Sequence, residues 1–495
     1  MFSLTPGFEQ MSFTEQIKEV NNLTSRNPLT FLQLLKEHID LPTLIPQSFY
    51  NAYYSSKTNN REYPLESILA VSLLMHFFNF ASASNFITLL YLSPIVREFC
   101  RLPDGRVPDD SVISKFKTTF VNELKLFFEN LSLEVMNIFT EFNASLPDDS
   151  PLKGLSETAI YDTTGLKPKV KENNPKTVET EIKRQCNFKK YLESKGTGED
   201  FNPYAAAYKN LPKQAFANEA IKLGYSNGHY GYFYKFGTLT NGFGIPLHIH
   251  FLDKPFYDDL PNEFESVEEQ KYVYDNASLK PVLSSFYKRI GNNRFSTFLG
   301  DSEFDSYDNY GFLNELGFSK VLIPINDRNT PSSNAQTIPI DSAGIPCCPK
   351  DPTRTFRYDG SCKGNNRSLR FKFVCPDSRR VGRNWVCDCK DKCKQTNSTV
   401  TKYTYPNGDL RVYSGVHRGS DEWGELYKTR TIIEREFSSM KSHPALERPR
   451  SYNCDSMRAD VYLNASTKLL TVMLAFALGH PQYMRNLNKL LKEAV

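Results

Sequence analysis

The stretch YKTRTIIEREFSSMK, from Tyr427 to Lys441, carries a charged stripe and an apolar stripe at helical spacing. The charged stripe advances by three, four and seven positions along one helix face and consists of Tyr427, Arg430, Glu434 and Lys441. The apolar stripe on the other side consists of Ile432, Ile433, Phe437 and Met440. The pattern predicts one half-buried helix that presents a carboxylate among two cations and a phenol. This mixture suits a surface that holds a metal ion beside a phosphate backbone, because the carboxylate binds the ion and the cations neutralise phosphates.

Two aspartates upstream of this helix follow predicted β-strands. The run Ala159-Ile160-Tyr161 predicts a short strand that ends at Asp162. A second predicted strand, from Phe295 to Leu299, is followed by a glycine and then Asp301. A single acid after a strand is usually a turn residue. Three acids in this order, two after strands and Glu434 on a helix, indicate instead a shared site at one edge of a sheet.

The spacing Tyr-x2-Arg-x3-Glu-x6-Lys resembles the signature around the last acidic residue of a large group of bacterial insertion-sequence transposases, the DDE type. The block around Asp301 (strand, Asp, x, x, aromatic, Asp, Ser, helix) is similar to the second-aspartate block of that family. The segment VPDDSVISKFK, residues 107–117, is similar to the one that closes its N-terminal helical domain. The resemblance implies an α/β fold: an RNase-H-like mixed sheet flanked by helices, with an N-terminal helical domain and a β-rich insertion before the catalytic Glu.

The resemblance also implies the chemistry. Asp162, Asp301 and Glu434 would be catalytic and would bind two Mg²⁺ ions, with Mn²⁺ tolerated. Arg430 and Lys441 would hold phosphates, and Tyr427 would contact the end of the DNA. Such an enzyme cuts the terminal inverted repeats of its mobile element and joins them to target DNA, as a homodimer in the synaptic complex. Two alternatives with the same fold stay open: a domesticated DNA-binding protein and a metal-dependent nuclease.

Four regions follow from the pattern of elements. They are 1–135, helical and DNA-binding; 150–325, the first section of the catalytic core; 326–420, a Cys-rich β insertion; and 421–495, the last section of the core with C-terminal helices. In the first region, helical spacing over 30–39, 64–80 and 84–91 predicts three helices, and residues 112–120 predict an amphipathic helix. We expect Lys115 and Lys117 to lie exposed on that last helix and to contact DNA. The alternative is an ordinary helical bundle.

Residues 167–224 are polar and rich in Lys, Asn and Tyr, which predicts a basic insertion or long loop. It could follow DNA, or it could be a solvated face. The runs HYGYFYKFGTLT and FGIPLHIHFLDK then predict a β-hairpin with Asn241-Gly242 near its turn. His248 and His250 would share a strand face, as a metal pair or as sheet surface.

Seven of the ten cysteines lie between Cys347 and Cys393, which indicates a local device and not a secreted disulfide framework. A structural Zn²⁺ would be held by Cys375, Cys387, Cys389 and Cys393. The spacing is not a clean CxxC…CxxC, so reduced thiols with a packing role are the alternative.

Composition sets outer bounds on function. The formal net charge of +4 is too small to indicate a nucleic-acid partner by itself. The opening residues resemble no signal peptide, and the longest apolar run, Leu469 to Leu478, is far shorter than the roughly 20 residues of a membrane span. A cytoplasmic protein without a membrane partner is expected. No GxxxxGK[ST] loop occurs, so ATP use is not indicated.

Overall fold

The N-terminal region is helical. A computed structural model describes residues 31–55, 61–197, 200–226, 229–253, 275–291, 293–326, 341, 345–362, 370–389, 401–404, 410–411 and 413–494. The first helices are α1 Phe31–His38, α2 Leu41–Leu44, α3 Gln47–Tyr54, α4 Leu65–Phe77, α5 Ala83–Leu92, α6 Pro94–Phe99, α7 Asp110–Thr119, α8 Val121–Ser145 and α9 Pro151–Ser156. The helices predicted from periodicity in this region are therefore present. Asp109 caps α7 by accepting a hydrogen bond from the Val112 amide at 3.0 Å.

A seven-stranded mixed sheet forms the centre of the molecule. Its strands are β1 Thr158–Leu166, β2 Gln214–Ala215, β3 Asn218–Ser226, β4 His229–Asn241, β5 Pro246–Phe251, β6 Thr297–Leu299 and β7 Lys320–Leu322. The order is β2-β3-β4-β1-β6-β7, with β5 also paired to β4. Strand β1 is antiparallel to β4 and parallel to β6, and β6 is parallel to β7. The predicted α/β class is confirmed.

Strand β1 is longer than its apolar run predicts. Its parallel pairing with β6 stops at the Ile160–Leu299 pair, but its antiparallel pairing with β4 continues to the Leu166–Tyr234 pair. The prediction that the strand ends at Asp162 is therefore wrong, because β4 supplies hydrogen bonds beyond it. Asp162 lies where β1 has a neighbour on one side only.

The hairpin of β4 and β5 is confirmed. The Asn241 side-chain oxygen accepts hydrogen bonds from the amides of Phe243 and Ile245, each at 3.1 Å. Gly244 adopts φ +74°, the left-handed conformation that favours glycine. The turn is thus built from the Asn-Gly signal and its immediate neighbours.

The segment predicted as a long loop within 167–224 contains helices α10 Pro175–Ser194 and α11 Pro203–Asn210. Both begin with the same local signal: an asparagine whose side chain accepts amide hydrogen bonds, followed by proline in the first turn. The loop interpretation is wrong, since these caps start helices that the low apolar content obscured.

The remaining helices are α12 Asp275–Ile290, α13 Tyr307–Glu315, α14 Asp421–Lys428, α15 Thr431–Lys441, α16 Pro444–Glu447, α17 Cys454–Ala477 and α18 Leu487–Ala494. Helix α17 packs chiefly on α4, α7 and α8, with a smaller contact to β5. Among the described residues, no helix is both long enough and apolar enough to cross a bilayer.

The insertion is β-rich where it is described, as predicted. Its strands are β8 Arg357–Cys362, β9 Arg370–Val374, β10 Ser378–Val381, β11 Asn384–Cys387 and β12 Thr401–Thr404. They form a three-stranded sheet in the order β12-β9-β8 and a β10–β11 hairpin. A small core of two cysteines and three phenylalanines lies under the three-stranded sheet.

Candidate active site

The signature stretch, Tyr427 to Lys441, packs with its C-terminal part against one face of the sheet. Ile433 and Phe437 of α15 are buried against Ile160, Leu299 and Leu322, one residue from each of β1, β6 and β7. The predicted apolar stripe is therefore largely confirmed. This packing sets α15 across the strands that carry or precede the two aspartates.

The signature stretch is two helices and not one. Helix α14 ends at Lys428, α15 begins at Thr431, and Arg430 lies at the junction. Thr429 and Arg430 keep helical dihedral angles, with φ −63° and φ −54°, but their amides donate to carbonyls three residues back, those of Leu426 and Tyr427. Tyr427 thus belongs to a different helix from Glu434, contrary to the prediction of a single helix.

Three carboxylates converge on the guanidinium of Arg430. One terminal nitrogen, Nη2, lies 3.1 Å from Asp162 Oδ2 and 2.7 Å from Asp301 Oδ2. The other, Nη1, lies 2.6 Å from Glu434 Oε1. The structure therefore brings together the three acids that the sequence singled out, from a strand, a turn and a helix.

Each aspartate in this cluster also accepts hydrogen bonds from the residue that follows it in the chain. Asp162 Oδ1 accepts a hydrogen bond from the Thr163 amide at 2.7 Å. Asp301 Oδ1 accepts from the amide and from the hydroxyl of Ser302. In both residues, one oxygen is fixed locally and the other points at Arg430. The carboxylates are thus oriented before any ligand arrives.

The cluster holds more negative than positive charges, and its three carboxylates differ in exposure to solvent. Asp162 is 16% exposed, Asp301 40% and Glu434 57%. Burial raises the pKa of Asp162 to about 7, although Arg430 favours its anion. Three carboxylates around one guanidinium leave excess negative charge when all are ionised, so the cluster can accept further positive charge.

Tyr427 and Trp423 brace the turn that carries Asp301. Their rings stack with centroids 4.7 Å apart and planes 20° from parallel. The Tyr427 hydroxyl lies 3.4 Å from the carbonyl oxygen of Gly300. Burial raises the pKa of Tyr427 to about 12, so the phenol is neutral near pH 7. Trp423 was not among the predicted site residues; the signal that could have found it is its helical spacing of four from Tyr427.

Lys441 lies further along β1 than Asp162. Its ammonium donates a hydrogen bond to Thr164 Oγ1. Burial lowers the pKa of Lys441 below its ordinary value. The cation therefore lies beside the same strand as the first carboxylate, two residues beyond it.

The two lysines of α7 differ. Lys115 is exposed, as predicted. Lys117 is mostly buried, and its ammonium lies 2.9 Å from Asp460 of α17, which is also 3.3 Å from His76 Nε2. The expectation that Lys117 lies exposed is wrong, because its charge is paired with Asp460 between two helices.

The cysteines proposed for zinc lie in and beside the core of the insertion. Cys375 is buried, and Cys387 and Cys389 are half-buried. The Cys389 thiol lies 3.0 Å from a carboxylate oxygen of Asp377. Cys393 lies outside the described residues. Cys375 packs with the phenylalanines there, as the alternative of packing thiols expects.

The two histidines of β5 lie in the interior. His248 is buried, with Nδ1 3.9 Å from Glu129. Burial lowers the pKa of His250 to about 4 and also lowers that of His248. Both rings are therefore neutral near pH 7.

Within the described ranges, no three His, Cys, Asp or Glu side chains stand ready to hold a metal ion. At the Arg430 cluster the reason is visible, since a guanidinium lies among the carboxylates. The donor set itself fits a divalent cation, because three carboxylates supply the hard oxygen ligands that Mg²⁺ prefers. The Arg430 guanidinium contacts all three carboxylates, so its position shows where they stabilise a positive charge.

A family model described as Transposase domain (DUF772) matches residues 18–119. The matched segment covers α1 to α7 and ends before β1, so it contains none of the three carboxylates. No curated protein and no solved structure matches the chain. The match supports a transposase function in general, and with it an enzyme that acts on DNA.

Proposed function

We propose that the protein is a DDE transposase of a bacterial insertion sequence, with the Y-R-E-K signature and an RNase-H-like catalytic core. It would cut the ends of its mobile element and join them to target DNA. The observation that carries the proposal is the convergence of Asp162, Asp301 and Glu434 on one guanidinium. In the chain they lie 139 and 133 positions apart (301 − 162 and 434 − 301).

The placement of the acids on the sheet supports this core. Asp162 is on β1, which lies between β4 and β6 in the sheet. Asp301 follows the end of the neighbouring parallel strand β6, and Glu434 comes from a helix packed on both strands. Asp162 and Asp301 both lie two residues past the last pair of this parallel ladder, Ile160–Leu299, so their side chains and Glu434 can face one substrate phosphate.

The basic and aromatic groups of the signature have matching roles. Arg430 holds the carboxylates in place and neutralises part of their charge. When other cations take over that task, its donors would serve a DNA phosphate, and a guanidinium can do so with two parallel hydrogen bonds. Lys441 would add a second phosphate contact along β1. Tyr427 fixes the Asp301 turn and would pack against the DNA end.

Asp162, Asp301 and Glu434 would hold two divalent ions, Mg²⁺ or Mn²⁺. When bound, these ions would activate the attacking water or 3′-hydroxyl and stabilise the leaving oxygen. The protein's own contribution is to orient the carboxylates and to position the phosphate. Its partners would be double-stranded DNA, as terminal inverted repeats and as target, and a second copy of the chain in the synaptic complex.

The test is cleavage of a duplex that ends in the element's terminal repeat, with Mg²⁺, by the wild type and by Asp301→Asn. We expect Asp301→Asn to lower the cleavage rate at least about a thousandfold, roughly 4 kcal/mol of transition-state stabilisation. Glu303→Gln is the matched control, because Glu303 is exposed two residues away and should cut like the wild type. Equal cleavage by the wild type and Asp301→Asn would remove the assignment.

A further inference from the structure

We propose that the arm, defined as residues 167–213 with helices α10 and α11, binds duplex DNA beside the active site. The inference rests on the proposed function and adds a DNA-binding surface outside the carboxylate cluster. Four observations support it: the exposure of α10, the charge of the segment, its surface aromatic rings and its attachment to the catalytic strand.

Helix α10 is almost unpacked for its length. Of its 20 residues, only Gln185 is buried. Its main contacts are with α11 and with the short turn Lys171–Asn173. A helix of 20 residues spans roughly 30 Å and normally buries an apolar stripe. The arm therefore presents a long surface that the rest of the described chain does not cover.

The net positive charge of the chain comes from the arm. Residues 167–213 contain 11 Lys and Arg and 6 Asp and Glu, a net charge of +5, whereas the full chain carries +4. The remainder is thus close to neutral. Lys183, Lys190 and Lys195 are exposed, while Arg184 and Lys189 lie only loosely against acids, at 3.7 and 4.0 Å. Such a concentration attracts a polyanion and repels a second copy of the same arm.

Aromatic rings lie among these cations. Phe188 and Tyr191 are exposed, with ring centroids 6.4 Å apart and nearly parallel planes. Phe201 meets Phe188 edge to face at 5.5 Å, and the Lys195 ammonium lies 5.9 Å from the Tyr191 ring. On a duplex the base faces are stacked on one another, so the cations would contact phosphates and the rings would pack on the sugars between them.

The arm is anchored next to the carboxylates. It begins directly after β1, whose last residue, Leu166, is four positions beyond Asp162, or about 13 Å along a strand. At its base, the Asn173 side chain donates to the Tyr232 carbonyl and accepts from the Tyr232 amide, each at 2.9 Å. This double contact fixes the arm to β4. The base of the arm is therefore held on the same sheet as the carboxylates, which places a basic surface on the segment that follows the Asp162 strand.

The experiment compares Lys183→Gln/Lys190→Gln/Lys195→Gln with a matched control, Lys288→Gln/Lys489→Gln/Lys492→Gln. All six lysines are exposed, and the control residues lie on α12 and α18. Binding of a fluorescent repeat-ended duplex is measured by anisotropy over a range of salt concentrations. We expect the arm variant to bind at least about tenfold more weakly at low salt. Its salt slope should be smaller by up to about 2.7, or about 0.9 per lost phosphate contact.

The outcomes separate the two proposals. If the wild type neither binds nor cuts the duplex, the proposed function fails. If it does both, and the arm variant binds like the control, only the arm inference is overturned. A change in sedimentation of the arm variant with DNA affinity intact would also overturn it, in favour of a second copy. Cleavage at saturating DNA should stay at the wild-type rate, because the arm holds no group of the carboxylate cluster.

Discussion

Two aspartates follow strand β6, Asp301 and Asp305, and each belongs to an arginine–carboxylate cluster. The two clusters differ in the ratio of negative to positive charges and in exposure to solvent. Arg411 bonds both oxygens of Asp305 through Nε and Nη2, at 2.6 to 3.0 Å. Asp305 Oδ2 also accepts from the Asn326 amide at 2.7 Å, and the two charged side chains are 6% and 0% exposed. One cation meets one anion, and both are closed off from water.

The Arg430 cluster has the opposite character. One guanidinium meets three carboxylates, and Asp301 and Glu434 are reachable from solvent. A balanced, closed pair has no capacity for a further ion, whereas an unbalanced, open cluster does. The comparison teaches that charge excess and access distinguish the proposed active site from a closed ion pair, although both clusters use an aspartate and Asp301 and Asp305 are only four residues apart.

The largest expected effect comes from breaking the balanced pair. Arg411→Met leaves Asp305 buried without its cation, so we expect a loss of about 3 to 5 kcal/mol in the free energy of unfolding. Urea denaturation followed by circular dichroism measures it. Arg435→Met on the exposed side of α15 is the control and should change stability by less than about 0.5 kcal/mol. A loss below 1 kcal/mol for Arg411→Met would show that the pair is not structural.

The Lys117–Asp460 pair extends the comparison to pH. Although burial opposes it, Lys117 and His76 hold the pKa of Asp460 well below its ordinary value. A carboxyl whose folded pKa is depressed adds stability above its unfolded pKa, about 3.9, and that stability is lost as the pH falls below it. We expect Asp460→Asn to unfold about 2 kcal/mol more easily at pH 7.

The difference between wild type and Asp460→Asn should shrink as the pH falls from about 4 towards 3. Denaturant titrations of both proteins between pH 6 and 3 provide the measurement. A difference that stays the same down to pH 3 would mean that the Asp460 carboxylate does not stabilise the fold.

The smallest expected effect comes from removing the positive charge of Arg430 from the three-carboxylate cluster. Arg430→Gln leaves three carboxylates facing each other, so we expect a loss of roughly 1 kcal/mol of stability in EDTA. Because a divalent ion can replace the lost charge, Mg²⁺ should raise the melting temperature of Arg430→Gln more than that of the wild type. Arg435→Gln serves as control. An Mg²⁺ shift equal in all three proteins would argue against cation binding here.

Much of the candidate site could be predicted because its signals are local. Spacing placed Tyr427, Glu434 and the apolar stripe on helices, and short β runs preceded Asp162 and Asp301. Helix α10 was not predicted, because the signal that starts it is a polar capping residue and not an apolar stripe. The burial of Lys117 was not predicted because its partner, Asp460, is 343 positions away (460 − 117).

The sequence by itself determined which residues carry charge, which strands and helices present them, and the order of the three acids along the chain. Only the tertiary structure decided that β4 extends β1 past Asp162 and that the signature stretch divides at Arg430. It also decided that one guanidinium meets all three carboxylates. The physical reason is that local propensity acts over a few residues, whereas burial and charge pairing depend on which distant segments meet.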